Sequence, residues 1–161
     1  MAAYEKQGGS VEYYTPKYVF DAMAVEFDVD VASPVDRSHT NVPAREFITE
    51  DSLSKEWRGF AWMNQPYNHQ KEKLLWIDKF MRHNNGVALM PDRTSAPWWQ
   101  LFAKRADAIL FVAGKIKFVL PDGSTADQPG NGTTLFACGN RGIEALQNAQ
   151  LNGLGILRLK P

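Results

Sequence analysis

The feature that most constrains this chain is a short apolar run that stops on a polar turn. Phe60-Ala61-Trp62-Met63 reads as a buried strand, and Asn64-Gln65-Pro66-Tyr67 ends it at once with an amide, a proline and an aromatic. In open α/β sheets ligands bind at the carboxyl ends of strands, so a polar strand end of this kind is a candidate site. The rest of the chain supplies the sheet that such an end requires.

Before it, Thr15-Pro16 opens a helical stretch in which Val19, Phe20, Met23 and Ala24 recur at helical spacing, Thr15 being a natural cap. Phe27 to Ala32 reads as a strand ended by Ser33-Pro34, Arg45 to Thr49 as a further short strand, and Leu53 to Trp57 as one helical turn. After Tyr67 the pattern is helical through Met81 and stops near Asn84-Asn85-Gly86. Val87 to Met90 is a strand. A helix starting near Pro97 follows, then strands at Ala108 to Val112 and Ile116 to Leu120. Pro121 to Gly132 is turn-rich. A strand at Thr133 to Cys138, a helix over residues 141–150 and an edge strand at Gly155 to Leu159 complete the chain. Strands alternating with helices predict an α/β domain with a mixed, mostly parallel sheet covered by helices on both faces. The expected organisation is a polar leader over residues 1–12 and one domain over residues 13–161, with no separate target-recognition domain.

Composition narrows the class without choosing an activity. Eighteen basic residues balance eighteen acidic ones, so any polyanion must be met by a local basic patch. One cysteine excludes an internal disulfide. Cys138 is not preceded by proline, and His39, His69 and His83 lack metal-ligand spacing. Gly130 and Gly132 are not followed by the Lys-Ser or Lys-Thr of a phosphate-binding loop. Three acceptor-bearing turns remain, at Asp30 to Ser33, Asp51-Ser52 and Asn64 to Tyr67; on a parallel sheet they would share one edge.

The ordered set Thr15-Pro16, Phe27-Asp28-Val29-Asp30-Val31-Ala32-Ser33, Thr49-Glu50-Asp51-Ser52-Leu53 and Trp57 through Tyr67 resembles phage and prophage Dam-like DNA N6-adenine methyltransferases. The likeness continues through Leu89 to Thr94, Trp98-Trp99 and Phe111 to Phe118, covering roughly residues 13 to 138. It implies a Rossmann-like methyltransferase fold, S-adenosylmethionine as methyl donor, DNA as partner and a bacterial cytoplasm. It assigns Asn64, Gln65, Pro66 and Tyr67 to the catalytic motif, where Asn64 Oδ1 and the residue 65 carbonyl accept the amine hydrogens and Tyr67 stacks on the base. It assigns Tyr14, Thr15, Pro16, Asp30, Ala32, Ser33, Asp51, Ser52 and Leu53 to the cofactor. Arg93, Trp98, Lys115 and Lys117 are the candidate DNA contacts, with one of Trp98 and Trp99 expected at the crevice rim.

Two departures accompany the likeness. Gln65 replaces the first proline of the motif, and Ala32-Ser33 stands where a Gly-rich cofactor loop is common. A flexible Gln65 would loosen the acceptor geometry. N4-cytosine methylation, RNA as substrate, and a weak relative with a regulatory or anti-restriction role therefore stay open at this level.

Overall fold

The computed structural model describes residues 12–66 and 70–161. Tyr67 and residues 1–11 of the expected leader lie outside the described residues. Among the described residues seven strands form one sheet in the order β2-β1-β3-β4-β6-β5-β7. They are β1 (Phe27–Asp30), β2 (Ala44–Phe47), β3 (Ala61–Met63), β4 (Gly86–Pro91), β5 (Ala108–Val112), β6 (Thr133–Cys138) and β7 (Gly155–Leu159). Four helices accompany them: α1 (Lys17–Met23), α2 (Gln70–His83), α3 (Pro97–Arg105) and α4 (Asn140–Leu151).

The sheet is mixed, but not mostly parallel by pairing. The pairs β1–β2, β1–β3 and β3–β4 are parallel, whereas β4–β6, β5–β6 and β5–β7 are antiparallel. The physical reason is the connection available to each strand. The α2 and α3 segments give β3–β4 and β4–β5 the length for a crossover, while β6 and β7 return beside β5 as antiparallel neighbours.

Alternation along β4 shows why both faces need a cover. Val87 and Leu89 join a cluster with Phe20 and Met23 of α1 and Ala145, Leu146 and Ala149 of α4. Ala88 and Met90 join the opposite cluster with Ile77 and Phe80 of α2 and Trp98, Trp99 and Phe102 of α3. Strands buried on both faces lose the polar alternation of a half-exposed sheet, which is why these read as continuous apolar runs. In β1 the amides of Asp28 and Val29 both donate to the Phe60 carbonyl, at 2.8 and 3.2 Å. This is the pattern of a β-bulge, a device that re-aims side chains next to it. Phe27 faces the first cluster and Val29 the second.

Three local expectations are corrected. Thr15 does not cap α1; the N-cap is Pro16 and no side chain caps it. Residues 116–120 form no strand, only isolated bridges from Val119 to Tyr14 and to Thr125. Gly114, at φ +71, and the turn Leu120 to Ser124 bend this segment toward Tyr14 instead of along the sheet. The helical turn expected at Leu53–Trp57 lies earlier: the Asp51 carbonyl accepts from the Ser54 and Lys55 N–H groups at 3.0 and 3.2 Å, one turn that is not continued.

Candidate active site

Four parallel strands set the edge on which the site lies. The chain leaves β1 outward to β2, then returns to β3 on the other flank of β1. The strand order therefore reverses between β1 and β3, and a crevice outside their carboxyl ends is the favoured place for a ligand. Asp30 closes β1 and Asn64 follows β3 by one residue. Val31 N–H donates to the Trp62 carbonyl at 3.1 Å, and Ile48 N–H to the Asp30 carbonyl at 2.9 Å, so the ends of β1, β2 and β3 are tied side by side.

Asn64 is held from behind. Its Nδ2 donates to the Tyr13 carbonyl and to Thr15 Oγ1, both at 3.3 Å. Its Oδ1 is buried with no hydrogen-bond partner. A buried acceptor without a partner costs about 1–3 kcal/mol, so such atoms are uncommon and call for a reason. Among the described residues two side chains carry such an acceptor, the consecutive Asn64 and Gln65, and the Trp76 indole is the one buried donor without a partner.

Gln65 is not the loose residue expected of it. It is 1% exposed, its Nε2 lies 3.1 Å from Met90 Sδ, and its Oε1 has no partner. Burial between neighbouring strand ends immobilises the side chain that the sequence alone would leave flexible. Replacing Gln65 with Leu removes the orphaned oxygen at similar volume. The variant is expected to gain about 1–3 kcal/mol, read as a higher midpoint in urea unfolding.

Asp30 is 3% exposed. Burial pushes its carboxyl up to about 7, while the Ala32 N–H and the charge of Arg37 pull weakly the other way. Its Oδ1 accepts the Ala32 N–H at 3.1 Å. The ion pairs lie elsewhere: at the opposite edge Arg141 meets Asp28 at 2.7 Å. Neither Asp30, Asp51 nor Asp92 has a salt bridge among the described residues.

The other cofactor candidates divide by what already occupies them. Asp51 is exposed and adopts φ 51°, the left-handed region that Asp tolerates better than most residues. Its loop is clamped by Lys79 of α2, whose Nζ donates to the carbonyls of Ser52 at 2.8 Å, Leu53 at 3.0 Å and Lys55. Ser52 Oγ already accepts the Trp57 indole N–H at 3.0 Å. Ser33 is similarly committed, its N–H to Ile48 and its hydroxyl to Pro34. Tyr14 donates its hydroxyl to Glu12 at 2.7 Å, and burial together with that carboxylate raises its pKa. Ala32 and Pro16 are half-buried beside these groups, as is Leu53.

The candidate DNA contacts separate in the same way. Lys115 and Lys117 are exposed and alternate with buried Ile116 and Phe118, while Arg93 is half-buried after β4. Trp98 is only 4% exposed and Trp99 6%, so neither stands at a rim. Adjacent residues on a helix point about 100° apart, and here both directions are covered. Trp98 lies under the Lys73 ammonium of α2, 4.7 Å from its ring centre, and Trp99 packs on Phe111 and Phe136 of the sheet.

Sequence reasoning missed three participants. Asp92 follows β4, where its Oδ1 accepts from Thr134 Oγ1 at 2.6 Å, and the same Thr134 oxygen receives the Trp99 indole at 3.4 Å. Asp92 had a signal, a carboxylate at a strand end, but Thr134 looks like any strand residue. Tyr13 acts through its carbonyl, which no side-chain pattern reveals. Cys138 is buried, and burial pushes its thiol up to about 11.

Against this geometry stands a match over residues 7–141 to the family model of DNA N-6-adenine-methyltransferase (Dam). The chain belongs to the Dam family. No curated protein and no solved structure matches it. The Dam match takes in every residue discussed above as a site candidate and ends at Arg141, near the start of α4. The N6 amine of adenine in DNA is the acceptor named by the family, and DNA methyltransferases generally use S-adenosylmethionine. Among the described residues no group of three His, Cys, Asp or Glu side chains could hold a metal ion. No helix of the described residues is long and apolar enough to cross a membrane.

Proposed function

We propose that this chain methylates the N6 amine of adenine in DNA, with the amine held at Asn64 and S-adenosylmethionine held beside Asp30 and Asp51. The observation that carries the reading is the polarity of the Asn64 amide. Its two donors are spent on Tyr13 and Thr15, and a bare acceptor, Oδ1, is left over. An exocyclic amine is the complementary group, since it brings two hydrogens and its lone pair is delocalised into the ring. An oxygen that accepts one of those hydrogens favours a more tetrahedral nitrogen with a more available lone pair. A keto oxygen at the same place would meet an acceptor and be repelled.

The cofactor supplies an electrophilic methyl group when bound. The chain's residues fit it on two counts. The β1–β3 reversal supports a Rossmann-like reading of the four parallel strands, with the crevice where such folds bind nucleosides. Asp30 offers a buried carboxyl with no cation paired to it, and Asp51 an exposed carboxylate on a clamped loop. Both are acceptors for hydroxyl or ammonium hydrogens. Ser33 and Tyr14 have donated their hydroxyl hydrogens and Ser52 Oγ has accepted the Trp57 indole, so their proposed part is to shape the wall.

The adenine amine is paired inside a duplex, so the base must leave the stack before Asn64 can reach it. Tyr67 is the proposed stacking surface, a contact worth about 1–3 kcal/mol. Arg93, Lys115 and Lys117 are proposed to hold the phosphates, which position the strand without reading its sequence. Buried Trp98 is left out of that set.

The test is direct. Purified protein is incubated with unmethylated DNA and methyl-labelled S-adenosylmethionine, and the DNA is digested to nucleosides. Label is expected in N6-methyl-2′-deoxyadenosine. Label in cytosine alone, or none at any protein concentration, overturns the proposal.

A further inference from the structure

We infer that Thr15 is a positioning residue that holds the Asn64 amide in the orientation the Tyr13 carbonyl selects, an inference that rests on the methyltransferase reading above. A primary amide has two orientations half a turn apart. They exchange an acceptor for a pair of donors at the same place, and only one of them can receive an amine hydrogen. What selects between them lies behind the side chain.

Two groups stand there. The Tyr13 carbonyl can only accept, so it must face Nδ2; the rotated amide would set oxygen against oxygen. Thr15 Oγ1 takes the second hydrogen at the same distance, 3.3 Å. Thr15 is itself 2% exposed, so no water readily replaces it. Its backbone is braced on both sides. Tyr14 exchanges two hydrogen bonds of 2.8 Å with Val119, and the Thr15 carbonyl accepts from Asn41 Nδ2 at 3.4 Å.

The role is distinguishable from cofactor contact. Replacing Thr15 with Val keeps the shape and removes the hydroxyl. One Nδ2 hydrogen then loses its acceptor, and the amide is held by the Tyr13 carbonyl alone and can rock about that one bond. The expected result is a kcat about tenfold lower, in line with the loss of one hydrogen bond. KM for S-adenosylmethionine and for DNA should stay within about twofold, since neither ligand loses a contact. Thr15→Ser restores the hydroxyl and should recover most of the rate.

A second readout needs no turnover. The Asn64 side-chain amide signals in a nitrogen–proton spectrum, assigned by their loss in Asn64→Asp, should shift and broaden in Thr15→Val and return in Thr15→Ser. Wild-type kcat in Thr15→Val, failure of Ser to rescue, or a rise in KM for the cofactor with kcat unchanged each overturns the inference. So do Asn64 amide signals that do not move. If the wild-type protein methylates no adenine, the proposed function falls, while the amide signals still decide whether Thr15 holds the Asn64 amide in place.

Discussion

Replacing Asn64 with Ala is expected to leave a folded protein of undiminished stability that methylates DNA about a hundred to a thousand times more slowly. The rate loss follows from removing a preorganised group aimed at the reacting centre, which typically costs that factor in kcat. The stability half of the expectation is the more diagnostic. A buried polar group normally stabilises through the bonds it makes, so its removal unfolds the protein. Asn64 makes two hydrogen bonds and leaves its oxygen bare. Deleting it loses the two bonds but also removes the orphaned acceptor, and these terms are each about 1–3 kcal/mol and opposite in sign. A site that is kept at the expense of stability behaves this way. Steady-state rates and urea unfolding of the same preparation decide it. An Ala variant with wild-type kcat ends the catalytic assignment, and one destabilised by several kcal/mol makes Asn64 a structural residue.

How much of this was legible before the structure depends on whether a residue's role is local. The strands β3, β4 and β6 could be read because both faces are buried, β5 from its apolar run, and β1 from the apolar alternation of Phe27 and Val29. The segment Ile116 to Leu120 has the same β-branched character, yet it makes only isolated bridges at Val119, to the remote Tyr14 and to Thr125. Sequence pattern cannot report which strand a segment will meet. The site divides likewise. Asn64 and Asp30 were visible as polar groups at strand ends. The immobility of Gln65 was not, since it comes from Met90, twenty-five residues away. Nor was the burial of both Trp98 and Trp99, which needs α2 on one side and β5 and β6 on the other. Asp51 was legible as a carboxylate, but its clamp by Lys79 depends on α2 packing over the loop.

Asp30 carries the second large effect, and it is one of pH. Burial raises its folded-state pKa from the ordinary 3.8 to about 7. The folded protein therefore prefers the neutral acid, while the unfolded chain ionises near 3.8. Below 3.8 both states are protonated and the group is neutral to stability. As pH rises from there to about 7 the unfolded state alone ionises, and stability is lost. Above 7 both are ionised, and the accumulated cost levels off at up to about 4 kcal/mol. Asp30→Asn keeps the acceptor for the Ala32 N–H and removes the charge. It should match wild type in urea unfolding near pH 4, then exceed it increasingly up to pH 7, with a constant margin beyond. A margin that is the same at every pH means that the carboxyl titrates normally in the folded protein. The same ionisation bears on ligand affinity. About a tenth of the carboxyls are ionised one pH unit below the pKa and about nine-tenths one unit above. If the carboxylate accepts a hydrogen bond from S-adenosylmethionine, affinity measured by calorimetry should rise about tenfold between pH 6 and pH 8 in wild type. In Asp30→Asn it should be weak and flat. Equal affinity in the two proteins at pH 8 removes Asp30 from the cofactor site, and leaves its burial to be explained by the fold alone.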